Sequence, residues 1–211
     1  MEYQIYLYDF ITLALAHFVA LLSPGADFFI IIGNTSKYGK KAGFATVFGI
    51  SIANLVYILL ALFGITLIKD NELIFTSIKF IGSFYLIYIG ILLLKAPKRE
   101  LFHKYEIKKS KKRDFVKYFL QGFLSAILNP KNSIFYFTMF SISIQAHTAF
   151  AIQSFYAIWM FFAVLAWDIF IVYLVNQKNT KLYMEKYSNL IEKISGLILF
   201  LIAALIIINS L

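Results

Sequence analysis

The chain has 211 residues, of which 61% are hydrophobic, 18% are aromatic and only 15% are charged, and its mean hydropathy is +0.77. Soluble domains carry roughly 25% charged residues, so this composition excludes an ordinary soluble domain and indicates a membrane protein. The net charge is +9, and the absence of cysteine excludes disulfides and thiolate metal sites.

Six apolar stretches follow one another along the chain, and each is near the roughly 20 residues that a helix needs to cross a bilayer. The fold class predicted is therefore an all-α membrane protein with six transmembrane helices. Glu2 and Asp9 stand where a signal peptide has basic residues, so the first stretch is expected to be retained. The stretches cover residues 10–32, 43–68, 73–94, 118–144, 149–175 and 190–209.

The first and fourth stretches are each interrupted by a helix-breaking motif. Ser23-Pro24-Gly25 precedes Asp27 in the first, and Asn129-Pro130-Lys131 interrupts the fourth. Interrupted segments at corresponding places in two halves are typical of transporters, because broken helices leave backbone groups free to bind a solute. A charge at that depth costs about 3 kcal/mol or more, so Asp27 and Lys131 are candidate site residues.

The two halves of the chain match one another. Lys79-Phe80-Ile81-Gly82 aligns with Lys193-Ile194-Ser195-Gly196 at an offset of 114, and the same offset places Asn54 on Asp168. A repeat of three helices is odd-numbered, so its second copy must enter the membrane from the opposite side. The pattern predicts two inverted three-helix repeats, with broken first and fourth helices and alternating access between the repeats.

Positive charge is concentrated on one side of this topology. The loops at 33–42, 95–117 and 176–189 hold three, ten and three Lys or Arg residues, whereas the opposite side holds only Lys69. Basic loops face the cytoplasm, so both termini are expected outside. Residues 1–94 and 118–211 are then the two repeats, and residues 95–117 are a basic cytoplasmic linker.

The most basic run, Lys108-Lys109-Ser110-Lys111-Lys112-Arg113, lies inside this linker. A topology signal in a solvated linker explains it, with contact to anionic lipid headgroups as the alternative. We therefore predict no binding of nucleic acid.

Several motifs, taken in order, resemble the lysine exporter (LysE/RhtB) family. Ser23-Pro24-Gly25-Ala26-Asp27 and Lys40-Lys41-Ala42-Gly43 resemble its P-G-P-[DN] and G-R-R-x-G signatures, although Ala26 replaces the second proline and is expected to soften the break. Residues 79–90 resemble its third helix, and residues 121–131 resemble its Q-G-F-x(5)-N-P-K stretch. The resemblance covers nearly the whole chain.

This resemblance implies a secondary transporter of the bacterial cell membrane rather than an enzyme. Members of the family export amino acids and derivatives such as lysine, homoserine, threonine or leucine, energised by the proton gradient. The implied partners are an amino acid, protons and the lipid bilayer, and no cofactor or metal is expected.

An amino acid brings a carboxylate and an ammonium group, so its site needs a positive and a negative feature. Backbone N–H groups that follow Pro24-Gly25 and Pro130, together with Lys131, are expected to hold the carboxylate. Asp27 would then face the ammonium group or carry the coupling proton. The alternative is that Asp27 and Lys131 form a buried ion pair that joins the two repeats.

Other polar residues are candidates with a structural alternative. Asn129 is expected either to cap the half-helix that starts at Pro130 or to bind substrate. Asn54 and Asp168 either line the pathway or tie helices together. Tyr85 stands where the family's third helix often has tyrosine, and His17 is a candidate proton relay.

Two other functions remain open at this point. A divalent-cation exporter would need clustered carboxylates, and Lys131 would repel its substrate. An intramembrane aspartyl protease would use Asp27 and Asp168 to share a proton, but the Gly-x-Gly-Asp motif expected there is absent.

Overall fold

A computed structural model of the chain describes residues 2–68, 71–98, 115–145, 148–175 and 177–209. Lys69 and most of the predicted linker, with its basic run at 108–113, lie outside these residues. The described residues contain eight helices: α1 (Glu2–Leu22), α2 (Ala26–Tyr38), α3 (Lys40–Ile68), α4 (Glu72–Leu94), α5 (Phe115–Ile127), α6 (Pro130–Ser143), α7 (Phe150–Val175) and α8 (Lys178–Asn209).

Four helices in the described part of the chain, α3, α4, α7 and α8, are long and apolar enough to cross a bilayer alone. Helices α1 and α2 form a fifth candidate span, because together they are apolar and they meet at a bend of 52°. Helices α5 and α6 have 13 and 14 residues, so each is too short to cross alone. The chain is therefore an all-helical, multi-span membrane protein, as its composition predicted.

The break between α1 and α2 falls at the predicted Ser23-Pro24-Gly25. Proline has no backbone N–H and its ring clashes with the preceding turn, so a helix cannot continue through it unchanged. Helix α2 restarts at Ala26, with Gly25 as its N-cap in an extended conformation (φ −108°, ψ −171°) and without a side-chain hydrogen bond to cap it. The bend of 52° persists with Ala26 in place of a second proline.

The break between α5 and α6 is capped by side chains. Asn129 is the N-cap of α6, and its side chain accepts a hydrogen bond of 3.0 Å from the Lys131 backbone N–H. Pro130 occupies the start of the helix, where its missing N–H costs nothing. At the end of α5, the Tyr57 hydroxyl donates to the Ile127 carbonyl. The predicted capping role of Asn129 is thus confirmed.

Helix α5 lies in backbone contact with α3. A Cβ atom placed on Gly49 would lie 2.0 Å from the Phe119 carbonyl oxygen, and one placed on Gly122 would lie 2.1 Å from the Thr46 carbonyl oxygen. Small residues allow such close approach, and helices in lipid associate largely through close packing. The contact fixes α5, and with it the start of the second break.

Buried apolar side chains of the described residues form three clusters, two of which reach the cavity described below. One of these two includes Leu13, Tyr136 and Met160, and the other includes Ile31 and Ile50. Tyr136 and Ile50 also line the cavity described below, so residues of both clusters form its walls.

Replacing Gly122 by alanine is expected to destabilise the protein by about 1–3 kcal/mol, because the new methyl group would push α3 and α5 apart. Thermal unfolding in detergent measures the effect. Gly33→Ala is the matched control, since a Cβ at Gly33 meets nothing within 4 Å. Equal melting temperatures for the two variants would contradict the close contact.

Candidate functional site

A cavity lies beside the two helix breaks. Its empty volume is about 630 Å³, including the open space at its mouth, and residues of α1, α2, α3, α6 and α7 line it. The polar side chains of the lining include Asp27, Asn54, Asn129, Lys131, Asn132 and Asp168.

Asp27 lies in the first turn of α2, where the helix dipole stabilises negative charge. The Ser125 hydroxyl donates to its Oδ1 at 2.8 Å, and the Asn132 amide donates to its Oδ2 at 2.8 Å. Ser125 belongs to α5 and Asn132 to α6, so the carboxylate joins α2 to both sides of the second break. Both of its oxygens are hydrogen-bonded by the protein.

Asn132 connects three helices at the cavity. Besides its bond to Asp27, its amide donates to Asn54 Oδ1 on α3 at 3.2 Å and to the Ala126 carbonyl on α5 at 3.4 Å. Sequence reasoning missed Asn132, although it directly follows the Asn129-Pro130-Lys131 motif. A polar residue at that point in an apolar stretch was the available signal.

Lys131 places its ammonium group near the start of α2. A Cβ atom on Gly25 would lie 3.8 Å from Lys131 Nζ, so the absence of a side chain at Gly25 leaves this region open. Lys131 attracts Asp27 and Glu192 electrostatically. The hydrogen bonds that the Asp27 oxygens accept come from Ser125 and Asn132, however.

Asp168 on α7 is held differently from Asp27. Its side chain is only 7% exposed and lines the cavity. Its Oδ2 atom is buried without a hydrogen-bond partner among the described residues. A buried polar atom without a partner is costly, and it commonly marks a place where a ligand, water or ion binds.

His17 on α1 is a second lining residue with unpartnered polar atoms. Its ring is 1% exposed, and neither ring nitrogen has a partner within the described ranges. The ring stacks on Phe135 and lies edge-on to Tyr136, at centroid distances of 5.9 Å in both cases. The predicted proton-relay candidate therefore lies at the cavity, within an aromatic environment.

The remaining predicted residues fall into two groups. Gly25, Asn54 and Asn129 line the cavity. Pro24 and Pro130 form the breaks but are not part of the lining, and neither is Tyr85, whose hydroxyl donates to the Lys131 backbone carbonyl at 3.2 Å. In this structure Tyr85 supports the second break.

Aromatic lining residues were not predicted. Phe28, Tyr136 and Trp167 contribute to the cavity wall. With 23 phenylalanines and 14 tyrosines in the chain, composition offers no signal that separates these residues from packing residues.

The comparisons with known proteins agree on one family. The family model described as LysE type translocator matches residues 18–210. The uncharacterized membrane protein YrhP of Bacillus subtilis (strain 168) is 30% identical over 189 residues, which cover 85% of this chain and 89% of that protein. No solved structure matches the chain.

Relatives with a stated activity match a shorter region. The threonine efflux protein of Escherichia coli (strain K12) is 33% identical over 139 residues, 63% of this chain and 65% of that protein. The threonine efflux protein of Salmonella typhi is 30% identical over 134 residues, with the same two shares. This chain thus aligns with slightly less than two thirds of either threonine efflux protein.

Replacing Asn132 by alanine is expected to lower the free energy of unfolding by about 1–3 kcal/mol, because Asp27 and Asn54 would each lose a hydrogen-bond donor. The thermal midpoint of the purified protein in detergent measures the loss. Ser133→Ala is the control, since that hydroxyl donates to the Pro130 carbonyl in its own helical turn. A control that is destabilised as much as Asn132→Ala would contradict the connecting role.

Proposed function

Because the chain belongs to the LysE type translocator family, whose members are transporters rather than enzymes, we propose that it exports amino acids or their derivatives from the cytoplasm. The threonine efflux proteins among its relatives support an amino acid as the substrate. The observation that carries the proposal is the cavity at the two helix breaks, which is lined by an ammonium group and by carboxylates.

The substrate carboxylate binds between Lys131 and the start of α2. The N-terminus of a helix favours an anion, because its backbone N–H groups point outward and its dipole is positive there. The ammonium of Lys131 lies close to this same helix end, beside Gly25. Two positive features in proximity are stabilised by an anion that contacts both, and α2 has no side-chain cap that competes for this place.

The substrate ammonium binds on the acidic side of the cavity. Asp27 and Asp168 both line it, and they interact electrostatically with one another. In this position the carboxylate of the zwitterion faces the ammonium of Lys131, and its ammonium group faces the two aspartates. Charges buried in a membrane protein are costly unless they are compensated in this manner.

The transporter consists of six spans in two inverted repeats, with α1–α2 as the first span and α5–α6 as the fourth. Helix packing supports this arrangement. If α1 to α4 correspond to α5 to α8 in order, several contacts between two helices are matched by contacts between their counterparts. Helix α3 packs against α5 and α6, and α7 packs against α1 and α2. Helix α1 likewise packs against α6, and α5 against α2.

Export proceeds by alternating access and is coupled to protons entering the cell. In inverted repeats the two halves exchange conformations around a fixed site, which opens the site to each side in turn. The cavity lies where both breaks meet, so a movement of one repeat against the other opens or closes it. A buried carboxylate in this cavity provides the place for a proton.

Neither alternative function is supported. Membership of a transporter family argues against the intramembrane aspartyl protease. For the divalent-cation exporter, the described ranges contain no group of three or more His, Cys, Asp or Glu side chains that could hold a metal ion. Lys131 lines the cavity and would repel a cation.

Replacing Lys131 by methionine is expected to weaken the apparent affinity for exported amino acids by about tenfold or more, the usual cost of losing a hydrogen bond to a charged group. Efflux of preloaded, labelled threonine and other amino acids from proteoliposomes is the measurement. Lys98→Met, which removes an exposed lysine, is the control and should leave efflux unchanged. Equal efflux by both variants would remove Lys131 from the site, and no efflux of any amino acid by the unaltered protein would overturn the proposed substrate class.

Both termini and the Asn71 region are expected outside, and Lys41 inside, because the basic loops face the cytoplasm. The chain has no cysteine, so single-cysteine variants report accessibility without further changes. In intact cells a membrane-impermeant maleimide should label Asn71→Cys but not Lys41→Cys, and permeabilisation should expose the latter. The reverse pattern would mean that the orientation is opposite.

A further inference from the structure

The two carboxylates that line the cavity are held in different ways. Asp27 accepts hydrogen bonds of 2.8 Å at each of its oxygens, from Ser125 and Asn132. Asp168 is buried, and its Oδ2 has no hydrogen-bond partner among the residues that the structure describes. Both oxygens of Asp27 are thus hydrogen-bonded by the protein, whereas the Oδ2 atom of Asp168 is not.

The charged groups around the cavity include a carboxylate that repels Asp168. The titratable groups that line the cavity with it are His17 from α1, Asp27 from α2, and Lys131 and Tyr136 from α6. Lys131 interacts with Asp27 and Glu192, and among the described residues Asp27 acts on Asp168 by repulsion. A buried carboxylate in this position requires a cation or a proton.

We propose that Asp168 is the exchange site of the transporter, at which the ammonium group of the substrate and the coupling proton replace one another. Asp27 is a positioning residue, which holds α2 against α5 and α6 through Ser125 and Asn132. This inference rests on the proposed function as an amino acid exporter. It assigns the coupling to one of the two carboxylates.

The exchange gives the Asp168 carboxylate a positive partner in each half of the cycle. When the ammonium group arrives, the proton leaves Asp168 toward the cytoplasm, and the carboxylate becomes the partner of the ammonium. After the substrate leaves on the other side, a proton from that side binds Asp168. The cavity then opens to the cytoplasm again. One zwitterion therefore moves out for each proton that moves in, so one positive charge enters per cycle.

The repeat-related position in the first half supports the assignment. Asn54 aligns with Asp168 at the offset of 114. Its side-chain oxygen accepts a hydrogen bond of 3.2 Å from Asn132, so it is satisfied by the protein. One half thus carries an amide whose oxygen has a partner, where the other carries a carboxylate with one buried oxygen that has none among the described residues.

The test compares Asp168→Asn, Asp27→Asn and the unaltered protein in proteoliposomes, with labelled threonine as the probe. For the unaltered protein, competition with protons raises the half-saturating threonine concentration as the pH falls, by about tenfold per pH unit once the pH is below the pKa of Asp168. Asp168→Asn should lose this pH dependence and the proton-driven accumulation of threonine, while slow downhill movement continues. Asp27→Asn should be less stable and less active, but should keep the pH dependence.

Two further variants keep the test decisive. Asp168→Glu retains a carboxylate and should retain the pH dependence, which covers the case in which Asp168→Asn does not fold. His17→Gln should also retain it, because the ring is not the exchange site. Loss of the pH dependence in Asp27→Asn or His17→Gln, with its retention in Asp168→Asn, would overturn the inference.

Failure of the inference and failure of the proposed function give different results. An unaltered protein that moves threonine with no effect of pH or of a proton gradient overturns the exchange site, while amino acid export stands. An unaltered protein that moves no amino acid of a full panel overturns the proposed function as well.

Discussion

Every backbone group that a helix break frees inside a membrane needs a partner, because lipid provides none. The α5–α6 break obtains its partners from the protein: the Asn129 side chain accepts from the Lys131 backbone N–H, and the Tyr57 hydroxyl donates to the Ile127 carbonyl. The α1–α2 break has Gly25 as its N-cap and no side chain to cap it. The first break thus has fewer side-chain hydrogen bonds to its backbone groups than the second. Its backbone N–H groups are therefore the ones suited to a solute with hydrogen-bond acceptors.

The α5–α6 break also determines where the charged groups of Asp27 and Lys131 lie. Close contact of Gly49 and Gly122 with the facing backbones fixes α5 against α3, which positions Ser125. The start of α6 positions Asn132, and the two side chains bind opposite oxygens of Asp27. The α2 end of the cavity is therefore held to α5 and α6 by polar contacts. The same turn of α6 carries Lys131, so its ammonium lies near the α2 end that Asp27 anchors.

Composition and the helix-breaking motifs predicted the membrane class, most of the helical residues and the positions of both breaks, because each depends on local sequence. The predicted loops at 33–42 and 176–189 were wrong in extent, since α2, α3 and α8 continue into them. The sequence also identified most of the polar cavity lining, since an ionisable or amide side chain in an apolar stretch is conspicuous. The partners could not be predicted. Asp27 contacts Ser125 and Asn132, which are 98 and 105 residues away, and helix rotation and packing decide such contacts. The same reason explains Tyr85, which supports a backbone turn instead of lining the cavity.

The two proposed repeats carry different side chains at equivalent positions, and this difference bears on how a zwitterion could be oriented between them. Aligning Pro24 on Pro130, at an offset of 106, places Gly25 on Lys131. Gly25 has no side chain, and the ammonium of Lys131 lies in the space beside it. Asn54 and Asp168 also differ, because the Asn54 side-chain oxygen accepts a hydrogen bond whereas the Asp168 Oδ2 atom has no partner among the described residues. Two identical halves would offer a zwitterion two equivalent orientations. In the proposed mechanism, the positive group lies at the α2 start and the carboxylate with an unpartnered oxygen lies on α7, so a bound amino acid would have one favourable orientation and would retain it as access changes sides.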